Sequence, residues 1–486
     1  MRDYDLIVIG GGSGGLVAAA GAAHLGARVA LIEKKALGGD CLYTGCVPSK
    51  TLIRSARFAA EMRRAEEFGF AALERLEFSD KTFASVTNRV TRVIETVGEH
   101  DAPERFRAMG IEIIFGTPRF VSPNEVEIVS EQEKKQILTA RNFCISTGSH
   151  PAVPPIEGLQ QTGFLTNEEV FHLQHCPRSL AVIGGGPVGL ELGQAFARFG
   201  SRVTIIEAGM RLLPKEDEEI SASITDFLRA EELNVRLETK VTRVTMAANN
   251  LKTLTLERNG ATEEIQAEEI LVATGREPNT QELNLEAAGV DYDKQRIVTD
   301  DYLRTTARHI FAAGDATNHF PFTHMAAYEA SVVVRNSLLF WPLMQKTDFR
   351  VVPWAVFTDP EIARVGLTEA EARNKFGANN VRVYRTTFAD NDRANTEGAT
   401  RGFIKLVCTH RKDKIVGAHI IGTGAGELIH EAVLAMKLNL SVTALGSLIH
   451  VYPTLSQVTQ QAGLDALLAK LTRYRKPLAY LLSWRR

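Results

Sequence analysis

Short, mainly apolar runs separated by glycine-rich turns mark the beginning of the chain. Residues 5–9 form the first run, which is followed by a glycine-rich turn and an alanine-rich stretch. A second apolar run, residues 29–32, ends at Glu33. Because short apolar runs bounded by turns are typical of buried strands, this order predicts a strand, a helix and a second strand, which together form a βαβ unit. The glycines of the turn are Gly10, Gly12 and Gly15.

The same order recurs in the middle of the chain. An apolar run at residues 180–183 precedes a glycine-rich turn and a predicted helix through Phe199, and a further run at 203–206 ends at Glu207. In both copies the acidic residue follows the first glycine by 23 positions. One such glycine pattern is a weak signal, but two copies between a strand and a helix predict two dinucleotide sites. The second turn carries Gly184, Gly186 and Gly189.

The chemistry of a dinucleotide explains these residue types. Glycines let the backbone approach a pyrophosphate closely, and the N-terminus of the following helix stabilises its negative charge. A carboxylate at the end of the second strand accepts hydrogen bonds from the ribose hydroxyls. Glu33 and Glu207 are therefore the predicted ribose ligands.

Turn-forming segments indicate that the second unit is inserted in the first. Residues 145–149 end the first segment, residues 272–276 end the inserted one, and residues 310–317 return to the first. The sequence therefore predicts one dinucleotide-binding domain at 1–150 and 275–345, with a second at 151–274. The candidate residues in the turn-forming segments are Thr147, Gly148, Gly275, Gly314 and Asp315.

The hydrophobic pattern changes at about residue 346. Strand-like stretches such as 381–384 and 403–407 alternate from there with helices near 424–438 and 454–469. This pattern predicts an α+β domain at 346–469. The whole chain is thus predicted to be an α/β protein with two Rossmann-like domains, followed by a C-terminal α+β domain and a tail at 470–486.

Composition narrows the possible functions. The 486 residues are 44% hydrophobic and 23% charged with a net charge of −2, so no broad basic field is available for nucleic acid. The chain opens without a signal-peptide pattern and has no stretch of transmembrane length, so the cytoplasm is the expected location. The tail carries six lysines and arginines and no acidic residue. Such a tail could contact an anionic membrane, but docking on its own protein is the expected arrangement.

Two of the five cysteines are the strongest chemical candidates. Cys41 and Cys46 lie five positions apart, and on an unbroken helix their Cα atoms would be about 8.7 Å apart, too far for a disulfide. The helix must therefore be distorted between them, and Gly45 permits this. A disulfide closing so short a loop constrains the unfolded chain little, so a working dithiol is favoured over a structural bond. The other cysteines, Cys144, Cys176 and Cys408, are expected to be packed small residues.

The cysteine segment and the glycine-rich turn before it resemble the class-I pyridine nucleotide–disulfide oxidoreductases, and the resemblance covers nearly the whole chain. It implies a homodimer, with FAD in the first domain and a nicotinamide in the second. It also implies a redox-active disulfide in which Cys41 exchanges with the substrate and Cys46 pairs with the flavin. A helix N-terminus and Lys50 favour thiolate character. Asp40 stands where relatives carry threonine, and its carboxylate is expected to raise the pKa of Cys41.

The resemblance also assigns residues to the cofactors. Lys50 and Glu191 are expected to form an ion pair beside the flavin, and Asp315 is expected to hold the ribityl chain. Glu207 favours NADH because a carboxylate repels the 2′-phosphate of NADPH, although Arg211 leaves NADPH possible. The expected FAD residues are Gly10, Gly12, Gly15, Glu33, Lys50, Thr147, Gly148, Gly314 and Asp315. The expected nicotinamide residues are Gly184, Gly186, Gly189, Glu207 and Gly275.

The chain departs from this family near its C-terminus. Thiol-handling relatives carry a histidine and a glutamate there as an acid/base pair, whereas this chain has Tyr452 and Gln457. A phenol with a pKa near 10 is poorly matched to proton transfer at neutral pH, so Tyr452 is a weak candidate for that catalytic role. His450 is expected to be a hydrogen-bonded structural residue. The acid/base pair of the thiol-handling relatives is therefore predicted to be lost.

The predicted function is an FAD-dependent NAD(P)H oxidoreductase that passes electrons through Cys41 and Cys46. The acceptor is a disulfide, a metal ion or a small electrophile, as in mercuric reductases, which also lack that histidine. Their C-terminal cysteine pair and N-terminal metal-carrier domain are not expected in this protein, because the sequence contains neither. One alternative is a dihydrolipoamide dehydrogenase with a different acid/base, and another is a non-catalytic module that senses redox state or nucleotides. No resident metal is expected.

Overall fold

The computed structural model describes residues 3–71, 79–473 and 475–484. Its first unit is a mainly parallel sheet in which the two predicted strands of the βαβ unit pair in register, Leu6 opposite Val29. Leu6 and Val8 pack on the helical face of this sheet, and Ile7 and Ile9 pack on the opposite face. The strands are β1 (Tyr4–Ile9), β2 (Val29–Glu33), β3 (Ile111–Phe115), β4 (Thr117–Ser122), β5 (Glu125–Val129), β6 (Lys135–Ile145) and β7 (Ser149–Pro151). The helices are α1 (Ser13–His24), α2 (Gly39–Tyr43), α3 (Cys46–Arg63), α4 (Asp80–Gly98) and α5 (Pro103–Ala108).

The second unit repeats this arrangement and adds a small antiparallel sheet. Its parallel strands are all short and apolar, and the helix after the glycine-rich turn begins with a proline, whose fixed φ suits the first helical position. The helices are α6 (Leu159–Thr162), α7 (Pro187–Arg198) and α8 (Glu218–Ala230). The strands are β8 (Ser179–Ile183), β9 (Arg202–Ile206), β10 (Asn234–Arg236), β11 (Lys240–Met246), β12 (Lys252–Arg258), β13 (Ala261–Ala267) and β14 (Glu269–Val272). The parallel sheet has the order β10-β9-β8-β14, and β11-β12-β13 form the antiparallel one.

A two-stranded ribbon joins the two units. The chain leaves the first unit through β7 and returns through β15 (Arg276–Pro278), and these two strands pair antiparallel. It then adds β16 (Ile310–Ala312) beside β6 and continues into α9 (Thr323–Leu338). The first sheet therefore has the order β3-β2-β1-β6-β5-β4, with β16 also paired to β6.

The C-terminal unit is a five-stranded antiparallel sheet covered by helices. The strands are β17 (Pro353–Val356), β18 (Glu361–Gly366), β19 (Val381–Thr387), β20 (Phe403–Thr409) and β21 (Ile415–Gly422), in the order β17-β18-β21-β20-β19. The helices are α10 (Glu369–Phe376), α11 (Asp392–Thr396), α12 (Ala425–Lys437), α13 (Val442–Gly446), α14 (Gln457–Arg473) and α15 (Arg475–Ser483). The predicted fold class is confirmed, because both Rossmann-like units, the insertion and the C-terminal α+β unit are present.

Two aromatic residues of the described tail are exposed: Tyr480 by 63% and Trp484 by 76%. Tyr474, Arg485 and Arg486 lie outside the described residues, and the expectation that the tail packs on its own protein stays a prediction. Within the described part of the chain, no helix combines the length and the apolar character needed to cross a membrane.

Candidate active site

A continuous cavity of about 2370 Å³ is lined by both glycine-rich turns, the cysteine segment and the start of α9. Among the predicted site residues, Gly15, Gly189 and Tyr452 do not line it. The fold thus brings nearly all of the predicted residues to one site. The predicted residues in the lining are Gly10, Gly12, Glu33, Cys41, Cys46, Lys50, Thr147, Gly148, Gly184, Gly186, Glu191, Glu207, Gly275, Gly314 and Asp315.

The first glycine-rich turn requires its glycines for packing as well as for binding. Gly10 has a φ of +103°, and a Cβ there would collide with the carbonyl oxygen of Ser146. A Cβ at Gly15 would collide with the carbonyl oxygen of Gly10, so any side chain would push α1 away from β1. Gly15 therefore allows the helix to pack closely against the turn, although it does not line the cavity. Gly189 does the same in the second unit, where a Cβ would collide with the carbonyl oxygen of Gly184.

The two acidic residues make equivalent hydrogen bonds. Glu33 accepts from the backbone N–H of Gly11 at 2.6 Å, and Glu207 accepts from that of Gly185 at 2.7 Å. A Cβ at Gly186 would meet no atom within 4 Å, and one at Gly12 would meet only the Cα of Gly39 at 3.7 Å, so both turns leave open space beside the backbone. Because each helix N-terminus also faces this space, the residues fit two dinucleotide pyrophosphates.

The helix that carries the cysteines is broken between them, as predicted. The first segment, α2, ends at Tyr43, and α3 begins at Cys46, after Gly45 with φ −116° and ψ −112°. Both cysteines are present as free thiols. Cys41 is partly buried, whereas Cys46 is exposed to the cavity. The break allows the two thiols to meet in a hydrogen bond.

The two thiols differ in acidity. The hydrogen bond that Cys41 donates lowers the pKa of Cys46 to about 6, with help from the Thr323 hydroxyl and the charge of Lys50 and against the effect of burial. The same hydrogen bond, together with burial, raises the pKa of Cys41. One thiol and one thiolate at neutral pH is the state that a two-electron dithiol needs if Cys46 is to carry the negative charge.

Lys50 and Glu191 form the predicted ion pair. Lys50 Nζ lies 2.8 Å from Glu191 Oε2, and the ammonium lies 4.5 Å from the centre of the Phe357 ring. Glu191 is almost fully buried, and its other oxygen accepts from the backbone N–H of Phe357 at 2.9 Å. The pair is therefore held from two sides at the wall of the cavity.

The residues at the ribbon form a second polar group. Asp315 accepts from the Ser149 hydroxyl at 2.6 Å, and Thr147 donates its hydroxyl to the carbonyl oxygen of Asn279 at 2.7 Å. Gly148 and Gly275 have φ of +69° and +136°, which favour glycine, at the two crossings between the units. The backbone N–H of Gly314 donates to a carboxylate oxygen of the buried Glu329 at 2.7 Å.

The charge of Asp40 acts on Cys46, whose pKa it raises. The pKa of Cys41 is raised by its hydrogen bond with Cys46, by burial and by the charge of Cys46, so an effect of Asp40 on Cys41 stays a prediction. The Asp40 carboxylate turns toward Gly45, the residue before Cys46: a Cβ on that glycine would lie 3.0 Å from Asp40 Oδ2.

The C-terminal loop lies away from the dithiol of its own chain. Tyr452 is 68% exposed and donates its hydroxyl to Asp392 at 2.9 Å, a hydrogen bond that raises the pKa of Tyr452. The His450 side chain is only 5% exposed, and its Nε2 lies 3.2 Å from Glu431. This contact agrees with the expected structural role of His450. Gln457 accepts from the backbone N–H of Thr454 at 3.2 Å.

Sequence reasoning missed several residues of this site. Thr323, whose hydroxyl lies 3.3 Å from the Cys46 sulfur, has no motif of its own beyond its position at the start of a helix. Phe357 and Asn167 also belong to the site: Asn167 donates to the carbonyl oxygen of Thr44 at 2.9 Å. No local pattern could have identified either. Among the described residues, no group of three His, Cys, Asp or Glu side chains is placed to hold a metal ion.

Comparison with known proteins gives the chain its family. The family model for pyridine nucleotide-disulphide oxidoreductases matches residues 4–330, and the model for their dimerisation domain matches residues 352–462. A mercuric reductase from Bacillus cereus is 37% identical over 457 residues, covering 94% of this chain and 70% of the relative. One from Staphylococcus aureus is 35% identical over 464 residues, covering 95% and 82%. A dihydrolipoyl dehydrogenase from Thermus scotoductus is 36% identical over 479 residues, covering 95% and 97%.

A solved structure is similar throughout. The HOCl-induced flavoprotein disulfide reductase RclA from Escherichia coli, in its Cu(II) complex, has a TM-score of 0.83 and 29% identity, covering 95% of this chain and 99% of that chain. The predicted enzyme class, an FAD-dependent oxidoreductase that uses NAD(P)H, is confirmed by the family and its members. Because the family consists of enzymes, the alternative of a non-catalytic module that senses redox state or nucleotides is set aside. The chain belongs to the pyridine nucleotide-disulphide oxidoreductase family.

Proposed function

We propose that this enzyme passes two electrons from NADH through FAD to the Cys41–Cys46 disulfide, and from there to a soft metal ion or a small electrophile. The observation that carries the choice of acceptor is Tyr452, which stands at the position of the family's acid/base and donates a hydrogen bond to Asp392. A phenol with a raised pKa cannot protonate a leaving thiolate efficiently at neutral pH. Acceptors that need no such proton are therefore favoured.

The proposed domains follow the two cofactors. The FAD-binding domain comprises residues 1–150 and 275–345, the nicotinamide-binding domain 151–274 and the dimerisation domain 346–469. The dimerisation-domain match supports a homodimer. Location in the cytoplasm stays a prediction.

The residues of the two turns would hold the two dinucleotides. FAD and the nicotinamide, when bound, supply hydride transfer. Gly12 and Gly186 would leave room for the pyrophosphates, and Glu33 and Glu207, held by their backbone hydrogen bonds, would accept from ribose hydroxyls. Asp315 would accept from the ribityl chain. Lys50 would place a positive charge beside the flavin, and the negative charge of its partner Glu191 would partly neutralise it.

NADH is the proposed nicotinamide. Glu207 is held toward the open side of the turn by the N–H groups of Gly185 and Gly209, at 2.7 and 2.6 Å. Arg211, which the sequence offers as a partner for a 2′-phosphate, donates to the carbonyl oxygen of Pro214 at 2.8 Å and lies 3.7 Å from Glu218. Because Arg211 is already engaged, it is poorly placed to compensate the repulsion between Glu207 and a 2′-phosphate.

The dithiol would work by a balanced two-electron step. Reduction with one hydride equivalent breaks the S–S bond and leaves Cys41 as a thiol and Cys46 as a thiolate. This distribution matches the raised pKa of Cys41 and the pKa of about 6 for Cys46. Cys41, as the sulfur farther from the flavin in the family, would contact the acceptor.

The names of similar proteins support a metal acceptor. Two of the relatives described above are mercuric reductases, and the similar solved structure is a Cu(II) complex. Two thiolates are suitable ligands for a soft metal ion. The remaining cysteines do not offer a further pair, because Cys144 and Cys408 are buried in separate sheets and Cys176 is half-buried beside Pro177.

A dihydrolipoyl dehydrogenase activity is the second candidate. A relative of that name is 36% identical over 95% of this chain. It would require a proton donor other than Tyr452, and the buried His450–Glu431 pair is the available histidine–carboxylate contact on the same loop.

An acceptor panel tests the proposal. The FAD-loaded protein would be assayed anaerobically with NADH and Hg(II), Cu(II), lipoamide or glutathione disulfide. We expect the metals to be reduced at least tenfold faster than the disulfides. Cys41→Ser should abolish metal reduction while FAD stays bound, whereas the matched control Cys176→Ser should leave the rate unchanged. Faster turnover of lipoamide than of either metal would favour the second candidate.

A further inference from the structure

Asp40 links the dithiol helix to the ribbon between the two dinucleotide-binding units. Its Oδ1 accepts from the Thr44 hydroxyl at 2.6 Å, and its Oδ2 lies 3.3 Å from the Arg276 guanidinium. Asn167 Nδ2 lies 3.5 Å from the same carboxylate. One aspartate on α2 therefore contacts its own helix turn, the inserted segment and β15.

Arg276 is shared between two carboxylates. Its Nε lies 3.8 Å from Asp315 Oδ2, and it donates to both the hydroxyl and the carbonyl oxygen of Ser149, at 2.7 and 2.9 Å. The Arg276 side chain is largely buried, so water screens these contacts only partly. With two aspartates and one arginine, the group keeps an excess negative charge in the wall of the cavity that the dithiol also lines.

The excess charge lies close to the thiolate. As described above, the Asp40 carboxylate turns toward Gly45, directly before Cys46. Like charges at short range disfavour ionisation, whereas an uncharged residue at the same place would not. The groups that act on the charge of Cys46 are Cys41 and Asp40 on α2, Lys50 on α3 and the Thr323 hydroxyl on α9. Lys50 is paired with Glu191 on α7, and Asp40 lies beside Arg276, which also approaches Asp315.

We propose that Asp40 is a positioning residue that sets the redox balance of the dithiol: its charge, shared through Arg276 with Asp315, destabilises the Cys46 thiolate and makes the reduced enzyme a stronger reductant. The inference rests on the proposed function. In the two-electron step the product is one thiol and one thiolate, so a negative charge beside the thiolate makes that product less stable and more ready to return its electrons. A stronger reductant suits an acceptor that is a metal ion.

The predicted size follows from a single charge. A neighbouring charge within about 4–6 Å shifts a pKa by about 1–3 units, and the partial compensation by Arg276 places Asp40 at the lower end. Asp40→Asn keeps the shape of the side chain and can keep the hydrogen bond from Thr44, but it removes the charge. It should lower the pH midpoint of the thiolate by about one unit, a tenfold change in the thiol–thiolate equilibrium. Above both midpoints the same tenfold change raises the two-electron potential by about 30 mV.

The test compares variants of the FAD-loaded enzyme, reduced anaerobically by two electrons. The long-wavelength charge-transfer absorbance is titrated between pH 4.5 and 9, and the potential is measured against NADH/NAD⁺ mixtures at pH 8. Asp40→Asn is compared with Thr44→Val, which removes the hydrogen bond and keeps the charge. We expect a shift in Asp40→Asn and none in Thr44→Val.

The outcomes separate the claims. An unshifted midpoint in Asp40→Asn, or an equal shift in Thr44→Val, overturns the inference and leaves the proposed function intact. Absence of the absorbance band in the parent enzyme contradicts the proposed function itself. If Asp40→Asn does not retain FAD, Asp40→Thr, which carries the family's usual residue, takes its place and must show the same downward shift.

Discussion

Replacing Thr323 with valine should change the acidity of Cys46 without changing the shape of the site. The Thr323 hydroxyl lies 3.3 Å from the Cys46 sulfur and is one of the causes that lower the pKa of Cys46 to about 6. A hydrogen bond to a charged group is worth about 1.5–3 kcal/mol, and one pKa unit corresponds to about 1.4 kcal/mol. Because Cys46 is exposed to the cavity and sulfur is a weak acceptor, the lower end of that range applies, and Thr323→Val should raise the pKa by about one unit.

The sign can be checked against pH. A thiol whose pKa is depressed is a thiolate above that pKa and loses its charge as pH falls through it, so the variant should lose the thiolate at a higher pH. At pH 6.5, a midpoint moving from about 6 to about 7 would reduce the thiolate fraction from about three quarters to about one quarter. The assay is the charge-transfer absorbance of the two-electron-reduced enzyme across pH, with Thr323→Ser as the matched control that keeps the hydroxyl. Equal midpoints in the parent and Thr323→Val would refute this account of the thiolate.

Three further changes test other parts of the structure. Glu207→Ala should narrow the preference for NADH, measured as the ratio of kcat/KM for NADH and NADPH; a parent enzyme that prefers NADPH would contradict the role given to Glu207. The double change Tyr452→His with Gln457→Glu should raise turnover of lipoamide near pH 7 by about 10²-fold or more, in steady-state assays, if the acid/base is lost as proposed; no gain would indicate another proton donor. The Lys405 side chain is 3% exposed and binds three carboxylates at 2.5–2.9 Å. Lys405→Met should therefore lower the free energy of unfolding by about 3–5 kcal/mol, measured as a lower Tm in thermal unfolding of the holoenzyme. An unchanged Tm would show that this buried ion-pair group does not stabilise the fold.

The parts of the site that could be predicted were those with short-range patterns. A glycine turn between a strand and a helix, with an acid 23 positions after its first glycine, is a local signal, so both turns and the contacts of Glu33 and Glu207 were accessible from sequence. The helix break was also accessible, because two cysteines five positions apart cannot meet on a regular helix.

The parts that could not be predicted depend on contacts between distant segments. Thr323 and Cys46 are 277 positions apart, and nothing near Thr323 indicates that its helix starts at the dithiol. The effect of Asp40 on Cys46 was also not predicted, because adjacency in sequence does not give the direction of a side chain.

Anaerobic titration of the FAD-loaded protein with NADH tests the central claim most directly. If electrons pass through FAD to Cys41 and Cys46, one equivalent of NADH per FAD should produce a long-wavelength charge-transfer band, with the oxidised flavin spectrum largely retained. In Cys46→Ser the same equivalent should bleach the flavin without the band. Direct bleaching of the parent flavin by one equivalent, with no long-wavelength band and no difference from Cys46→Ser, would contradict the claim that this dithiol carries the electrons.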